Sequence, residues 1–366
     1  MSLQDEITKK AGEIYRESYQ MSIGELINIY RDGEMDIHPE FQRVFRWNDY
    51  QKTKLIESIM LNIPIPQIYV SQSDDGTWDI IDGVQRLSTI FQFVGILKDD
   101  DGKNVQPLVL EATDALPSFA GMKWVGEGDL VFTKEQQLTL KRARLDITII
   151  KKESDFNTKY ELFQRLNTGG SLLSDQEVRN CLIIMSNKTM YNFLDDIVKM
   201  PSYDKCMKIS DQKTDEQYAM EMVVRLLVSQ YIKWEDIQKY KDFSELLDKE
   251  ILLICDKEEF DYEETKRKFA NTFDLLYGTI GEDVFRKYEG GRHKGAFLAG
   301  AFQAIVPGVY ENINSILEIE NPQEWIKQKV EKLYSEDVYV RNNLPGVRAI
   351  PRYKELSNWS RDYFRV

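Results

Sequence analysis

The sequence predicts an α+β protein, a mixed α/β core over residues 1–170 followed by a mainly α-helical domain over 171–366. Three observations predict it. Strand-like and helix-like segments alternate through the first half, whereas apolar residues recur at helical spacing through nearly all of the second. The chain has 366 residues, enough for two or three domains of about 150 residues each.

Taken in order, Ser22 and Glu25 have capping-box spacing and open a helix bearing Leu26, Ile27 and Tyr30. Asn48 or Asp49 caps a second, with Leu55, Ile56, Ile59 and Met60 on its buried side; Pro64 and Pro66 stop it. Residues 67–71 (QIYVS) and 77–81 (TWDII) read as a hairpin around Asp74-Asp75-Gly76. Asp82-Gly83 ends the return strand, and Leu87, Ile90, Phe91 and Val94 follow at helical spacing. Residues 98–104 read as a surface loop. Residues 108–110, 130–132 and 145–150 read as strands, and 134–144 and 157–166 as helices. Ser174 and Glu177 repeat the capping-box spacing and begin the helical half, with helices expected over 191–198, 216–232, 243–255, 262–276, 296–306 and 322–334.

The composition excludes several chemistries. Basic residues number 48 and acidic residues 61, a net charge of −13, so bulk attraction to nucleic acid or to an anionic membrane is not expected without a local patch. The two histidines, His38 and His293, cannot build a histidine-rich zinc site. Cys181, Cys206 and Cys255 lack CxxC spacing and read as reduced core thiols of a cytoplasmic protein. The polar start MSLQDEITKK is no signal peptide, and no apolar run reaches 18 residues, so no membrane association is expected.

The most informative segment is Ile81-Asp82-Gly83-Val84-Gln85-Arg86-Leu87. On the plainer reading Gly83 permits a tight turn and Arg86 lies on a solvated face. On the functional reading the helix N-terminus offers bare amides to a phosphate, and Gly83 lets the ligand approach the backbone. Arg86 supplies a forked donor, Asp82 holds magnesium or positions a water, and Gln85 orients that water or reads a base edge. Two further segments stand beside it: Gln42-Arg43 with Arg46 and Trp47, and Asn167-Thr168-Gly169-Gly170. Taken singly, each reads as a surface arm or a helix C-cap. A basic and aromatic tail over 341–366 carries six basic and two acidic residues. It either tracks phosphates or docks its aromatics on the protein's own body. The Lys141-Arg142-Ala143-Arg144 cluster is either a phosphate contact or a solvated helix end.

Gln42-Arg43 with Trp47, PIPQIYV, IDGVQRLSTI and FQRLNTGGSLLSDQEVRN occur together in one order. In this the chain resembles the DGQQR-motif domain at the N-terminus of GmrSD-type modification-dependent restriction systems and related phage-defence proteins, over roughly residues 20–230. The resemblance implies a ParB/sulfiredoxin-like core and a nucleoside triphosphate hydrolysed with magnesium. The family motif carries over as Asp82, Gly83, Gln85 and Arg86, with Gln42 and Arg43 upstream and Asn167 and Gly169 in the later loop. Joined to the functional reading of the turn, this places catalysis on Asp82, Gln85 and Arg86, nucleotide contacts on Gln42, Arg43, Gly83, Asn167 and Gly169, and magnesium on Asp82. Val84 replaces the family's first glutamine, which bears on hydrolysis more than on binding. The last hundred residues hold only His293, so the nuclease module of many relatives is not expected here. The implied function is an NTP-hydrolysing subunit of a DNA-targeting defence system, with DNA and a separate nuclease subunit as partners. The alternative is a catalytically inactive ParB-like module that binds DNA or protein.

Overall fold

In a computed structural model, the structure describes residues 2–5, 16–37, 47–73, 75–99, 102–151 and 174–366. The chain divides into two compact units, Met1–Leu172 and Leu173–Val366. The fold class is α+β.

The first unit is built on an open five-stranded sheet in the order β1-β5-β3-β4-β2. Its strands are β1 (Arg16–Ser22), β2 (Met35–Asp36), β3 (Ile68–Gln72), β4 (Trp78–Asp82) and β5 (Arg144–Ile150). β1 and β5 are antiparallel, as are β3 and β4; the β5–β3 and β4–β2 pairs are parallel. Among the described residues the unit also has helices α1 (Ile23–Arg31), α2 (Asp49–Met60), α3 (Val84–Phe93) and α4 (Lys134–Arg142). Ser22 caps α1, and Asn48 with Gln51 forms a reciprocal capping box on α2. Ile68 and Val70 of β3, Ile80 of β4 and Leu145, Ile147 and Ile149 of β5 are all buried, and their register places them on one face of the sheet. Leu87, Ile90, Phe91 and Phe93 bury one side of α3, where Phe91 stacks on Tyr30 at 4.5 Å.

The hairpin and the strand at 145–150 stand as expected, but 108–110 and 130–132 are not strands. Leu110 exchanges backbone hydrogen bonds with Gly121 and Met122 in an irregular stretch, and Val131 makes only an isolated bridge to Lys123. Leu108, Leu110 and Phe132 are buried anchors of that stretch, so their apolar character is accounted for without a sheet. β1 has no counterpart in the sequence reading. Its residues, RESYQMS, are exposed or half-buried on a sheet edge and carry no apolar alternation. The helix expected over 157–166 lies outside the described residues.

The second unit is helical. It comprises α5 (Asp175–Ser186), α6 (Lys188–Val198), α7 (Pro201–Cys206), α8 (Asp211–Asp215), α9 (Tyr218–Tyr231), α10 (Phe243–Cys255), α11 (Tyr262–Ile280), α12 (Ala299–Leu317), α13 (Pro322–Leu333), α14 (Asp337–Asn342) and α15 (Ala349–Tyr363). A two-stranded hairpin, β6 (Lys287–Glu289) and β7 (Arg292–Lys294), interrupts them. Ser174 and Glu177 cap α5 reciprocally. α12 runs eleven residues past the expected stop at 306 because Pro307 is accommodated inside it. The next amide, of Gly308, donates to Ser360 Oγ at 2.9 Å, so the neighbouring helix α15 supplies a partner beside the proline.

The C-terminal segment is part of this core. Tyr353, Leu356, Ser357, Ser360 and Phe364 are buried. Lys354 donates to the Trp234 carbonyl at 3.0 Å, Arg361 donates to the Ser229 carbonyl, and Arg341 pairs with Glu355. Of the two readings of the tail, docking on the protein's own body is the one realised.

Candidate functional site

Strand β4 ends at Asp82 and α3 begins at Val84, leaving one residue to reverse the chain. Gly83 does so at a φ of 106°, in the left-handed region. A Cβ there would stand 2.9 Å from Ile68 Cγ1. Both backbone and packing therefore demand glycine. Gly83→Ala is expected to lower stability by about 2 kcal/mol, most of it the left-handed backbone cost, because the Ile68 side chain can partly give way. Urea unfolding checks this, and an unchanged midpoint would mean the turn relaxes freely. Gly83 is also the N-cap of α3, and no side chain caps that end. The partial positive charge and amides of the helix start are thus left to an anion or water.

Asp82 presents a half-exposed carboxylate beside this end, its side chain 49% exposed. Arg86, one turn into α3, is buried and turned onto the chain itself. Its Nη2 donates to Asp82 Oδ2 at 2.6 Å, and its Nη1 donates to the carbonyls of Gln67, at 3.0 Å, and Pro66. This departs from the expected phosphate-facing fork. The guanidinium of a side chain only 11% exposed must find acceptors, and these three supply them. The pairing fixes Asp82 and ties the start of β3 to α3. The side chain of Val84 is buried, and Gln85 Oε1 accepts the Trp47 amide proton at 3.3 Å. One turn on, the buried Ser88 hydroxyl has no partner among the described residues.

Strand register extends the site in a direction the sequence did not indicate. Asp82 stands opposite Tyr69, Tyr69 opposite Thr148, and Thr148 opposite Ser18. Residues opposite one another in a regular ladder share a face, so Tyr69, Thr148 and Ser18 form a polar row across β3, β5 and β1, and Asp82 pairs with its Tyr69 end at a bulge where the β3–β4 register shifts. Ser18 and Thr148 hydroxyls are 3.0 Å apart, Thr148 donates to Gln67 Oε1 at 3.4 Å, and Gln67 Nε2 donates to the Tyr69 hydroxyl. Thr148 is buried. In the sequence Gln67 and Tyr69 stand in a strand and in the PIPQIYV motif, with no chemical role attached to either. Their period-2 spacing with a polar partner was the available signal, but Ser18 and Thr148 lie 130 positions apart and no local pattern joins them.

Gln42, Arg43, Asn167 and Gly169 lie outside the described residues, as does His38. Residues 23–184 match the family described as GmrSD restriction endonuclease, N-terminal domain. This segment is a GmrSD-type N-terminal domain. The match takes in the whole glycine turn and ends within α5. No curated protein and no solved structure matches the chain. The GmrSD-type segment thus belongs to a restriction-system family by its sequence, with Asp82, Gly83, Gln85 and Arg86 gathered at one helix start.

Other candidates resolve differently. Among the described residues no group of three His, Cys, Asp or Glu side chains could hold a metal ion. A magnesium ion at Asp82 would find one carboxylate among the described residues, and phosphates and waters would supply the rest of its shell. All three cysteines are buried free thiols. Burial pushes Cys206 and Cys255 up to about 12 and Cys181 higher still, so none is a thiolate nucleophile near neutrality. The His293 ring lies against Tyr288 and Tyr334, with Nδ1 3.0 Å from the Arg286 carbonyl oxygen. Lys141 lies over the Trp124 ring at 5.9 Å. No helix among the described residues is long and apolar enough to cross a membrane.

Proposed function

We propose that the first unit binds a nucleoside triphosphate at the start of α3 and hydrolyses it. The chain then serves as the nucleotide-driven subunit of a DNA-targeting restriction or phage-defence system whose nuclease is a separate chain. The observation that carries this reading is the uncapped helix start at Gly83 beside the half-exposed carboxylate of Asp82. Such an end attracts phosphate through its amides and its dipole. The family match supports the restriction-system setting.

In this mechanism the first amides of α3 bind phosphoryl oxygens, and Gly83 keeps the approach clear of a Cβ. Asp82 orients the attacking water and would hold magnesium, which when bound neutralises phosphate charge. Arg86 acts through Asp82, as the residue that fixes its carboxylate. Gln42, Arg43, Asn167 and Gly169 are the family's further nucleotide contacts. Catalysis of this kind rests on positioning and electrostatic stabilisation. One feature favours the second reading, a ParB-like module that binds DNA or protein without hydrolysis: the buried Val84 offers no amide, and Arg86 spends its donors on the chain.

Phosphate release from ATP, GTP, CTP and UTP with magnesium, with and without DNA, separates the two. Measurable turnover is expected for the wild type, abolished in Asp82→Asn and in Arg86→Ala. A bound nucleotide at a hundred times its Kd should also stabilise the fold by about 2.7 kcal/mol. No release from any of the four, with no rise in Tm, ends the nucleotide reading. A rise in Tm without release selects the binding module.

A further inference from the structure

The polar row across the sheet assigns a task to Tyr69, a residue to which the sequence analysis gives no chemical role. Tyr69 pairs with Asp82 across the β3–β4 ladder, at the bulge where its register shifts, and Asp82 adjoins the helix start. Thr148 donates to Gln67 Oε1, which orients the Gln67 amide so that its Nε2 faces Tyr69 and donates to the phenol oxygen. A phenol that accepts from Gln67 keeps its own proton to give, and Tyr69 has no acceptor for it among the described residues. Ser18 backs Thr148 at 3.0 Å. The Arg86 bond to the Gln67 carbonyl, at 3.0 Å, fixes the backbone from which this amide projects. A hydroxyl that accepts from Gln67 and keeps its own proton is a donor available to a ligand oxygen.

We propose that Tyr69 contacts the nucleotide directly, donating its hydroxyl proton to a phosphoryl oxygen held at the α3 start, and that Gln67 is its positioning residue. This rests on the nucleotide reading given above. A hydrogen bond from a neutral donor to a charged acceptor of this kind changes affinity by roughly tenfold or more.

The test is binding of a non-hydrolysable triphosphate analogue of each of the four bases, with magnesium, to the full chain by calorimetry. Tyr69→Phe removes only the hydroxyl and is expected to weaken binding about tenfold, with the ligand-free melting temperature unchanged. Gln67→Glu replaces the donor by a carboxylate that takes the Tyr69 proton, and is expected to weaken binding to a similar degree. The decisive readout is the double variant. If Gln67 acts through Tyr69, the two losses do not add, whereas an independent charge effect would add in full. Wild-type binding with Tyr69→Phe unchanged overturns this inference and leaves the nucleotide reading standing. Losses that add overturn the positioning role of Gln67. No wild-type binding of any analogue overturns both.

Discussion

Arg179→Met is expected to destabilise the protein by about 3–5 kcal/mol, the largest stability effect predicted for this chain. Arg179 is fully buried at the centre of α5, and its Nε donates to Asp248 Oδ1 at 2.7 Å. Nη1 donates to Gln176 Oε1, and Nη2 donates to Ser244 Oγ at 3.3 Å. Glu221 approaches at 3.8 Å. Asp248 is 3% exposed at its side chain, so removing the guanidinium takes a charge-assisted donor from a carboxylate in the interior. The cost lies in that under-compensated buried charge more than in the lost attraction. Urea unfolding of the wild type, the single variant and Arg179→Met with Asp248→Leu separates the two terms. The double variant should recover much of the loss. A single variant as stable as the wild type would mean Asp248 finds water or another cation at no cost.

The second large effect is expected for Gly308→Ala, about 3 kcal/mol of lost stability, at the upper end of overpacking penalties. A Cβ on Gly308 would lie 2.1 Å from the Ser360 carbonyl oxygen and 2.5 Å from its carbon. These are backbone atoms of α15, which cannot swing aside as a side chain can. The helix propensity gained on replacing glycine by alanine, about 1 kcal/mol, is too small to offset the clash. Separating the helices would also break the Gly308 amide bond to Ser360 Oγ. Thermal unfolding checks it, and Gly278→Ala is the control. That helical glycine has only Gln323 Nε2 nearby, at 3.9 Å, and its replacement should be neutral or stabilising.

These features divide by how far the sequence revealed them. Local chemistry was legible. The Ser22–Glu25, Asn48–Gln51 and Ser174–Glu177 spacings mark real helix starts, and Asp82-Gly83 marks a real strand-to-helix reversal. Each depends on residues within four positions of one another. What was not legible depends on distant partners. Pro307 tends to end a helix in isolation, and α12 continues past it where it packs on α15, with the Gly308 amide donating to the Ser360 hydroxyl. Arg86 read as a donor for a ligand because its acceptors, the Pro66 and Gln67 carbonyls, lie 20 and 19 positions upstream. Leu108, Leu110 and Phe132 read as strand residues because burial alone does not distinguish a strand from the anchors of an irregular stretch.

The strand order carries a consequence for how the chain reaches its native state. β3 and β4 are joined by a tight connection, so their pairing closes a short loop. The β1–β5 ladder sets Arg16 opposite Ile150, and closing so long a loop defers its reward until most of the unit has been made. Asp82 and Tyr69 thus come together in the early hairpin, whereas Ser18 and Thr148 meet at the slowest step. Refolding should show local order at the hairpin before the row is complete, and the row will record whether the sheet has finished assembling.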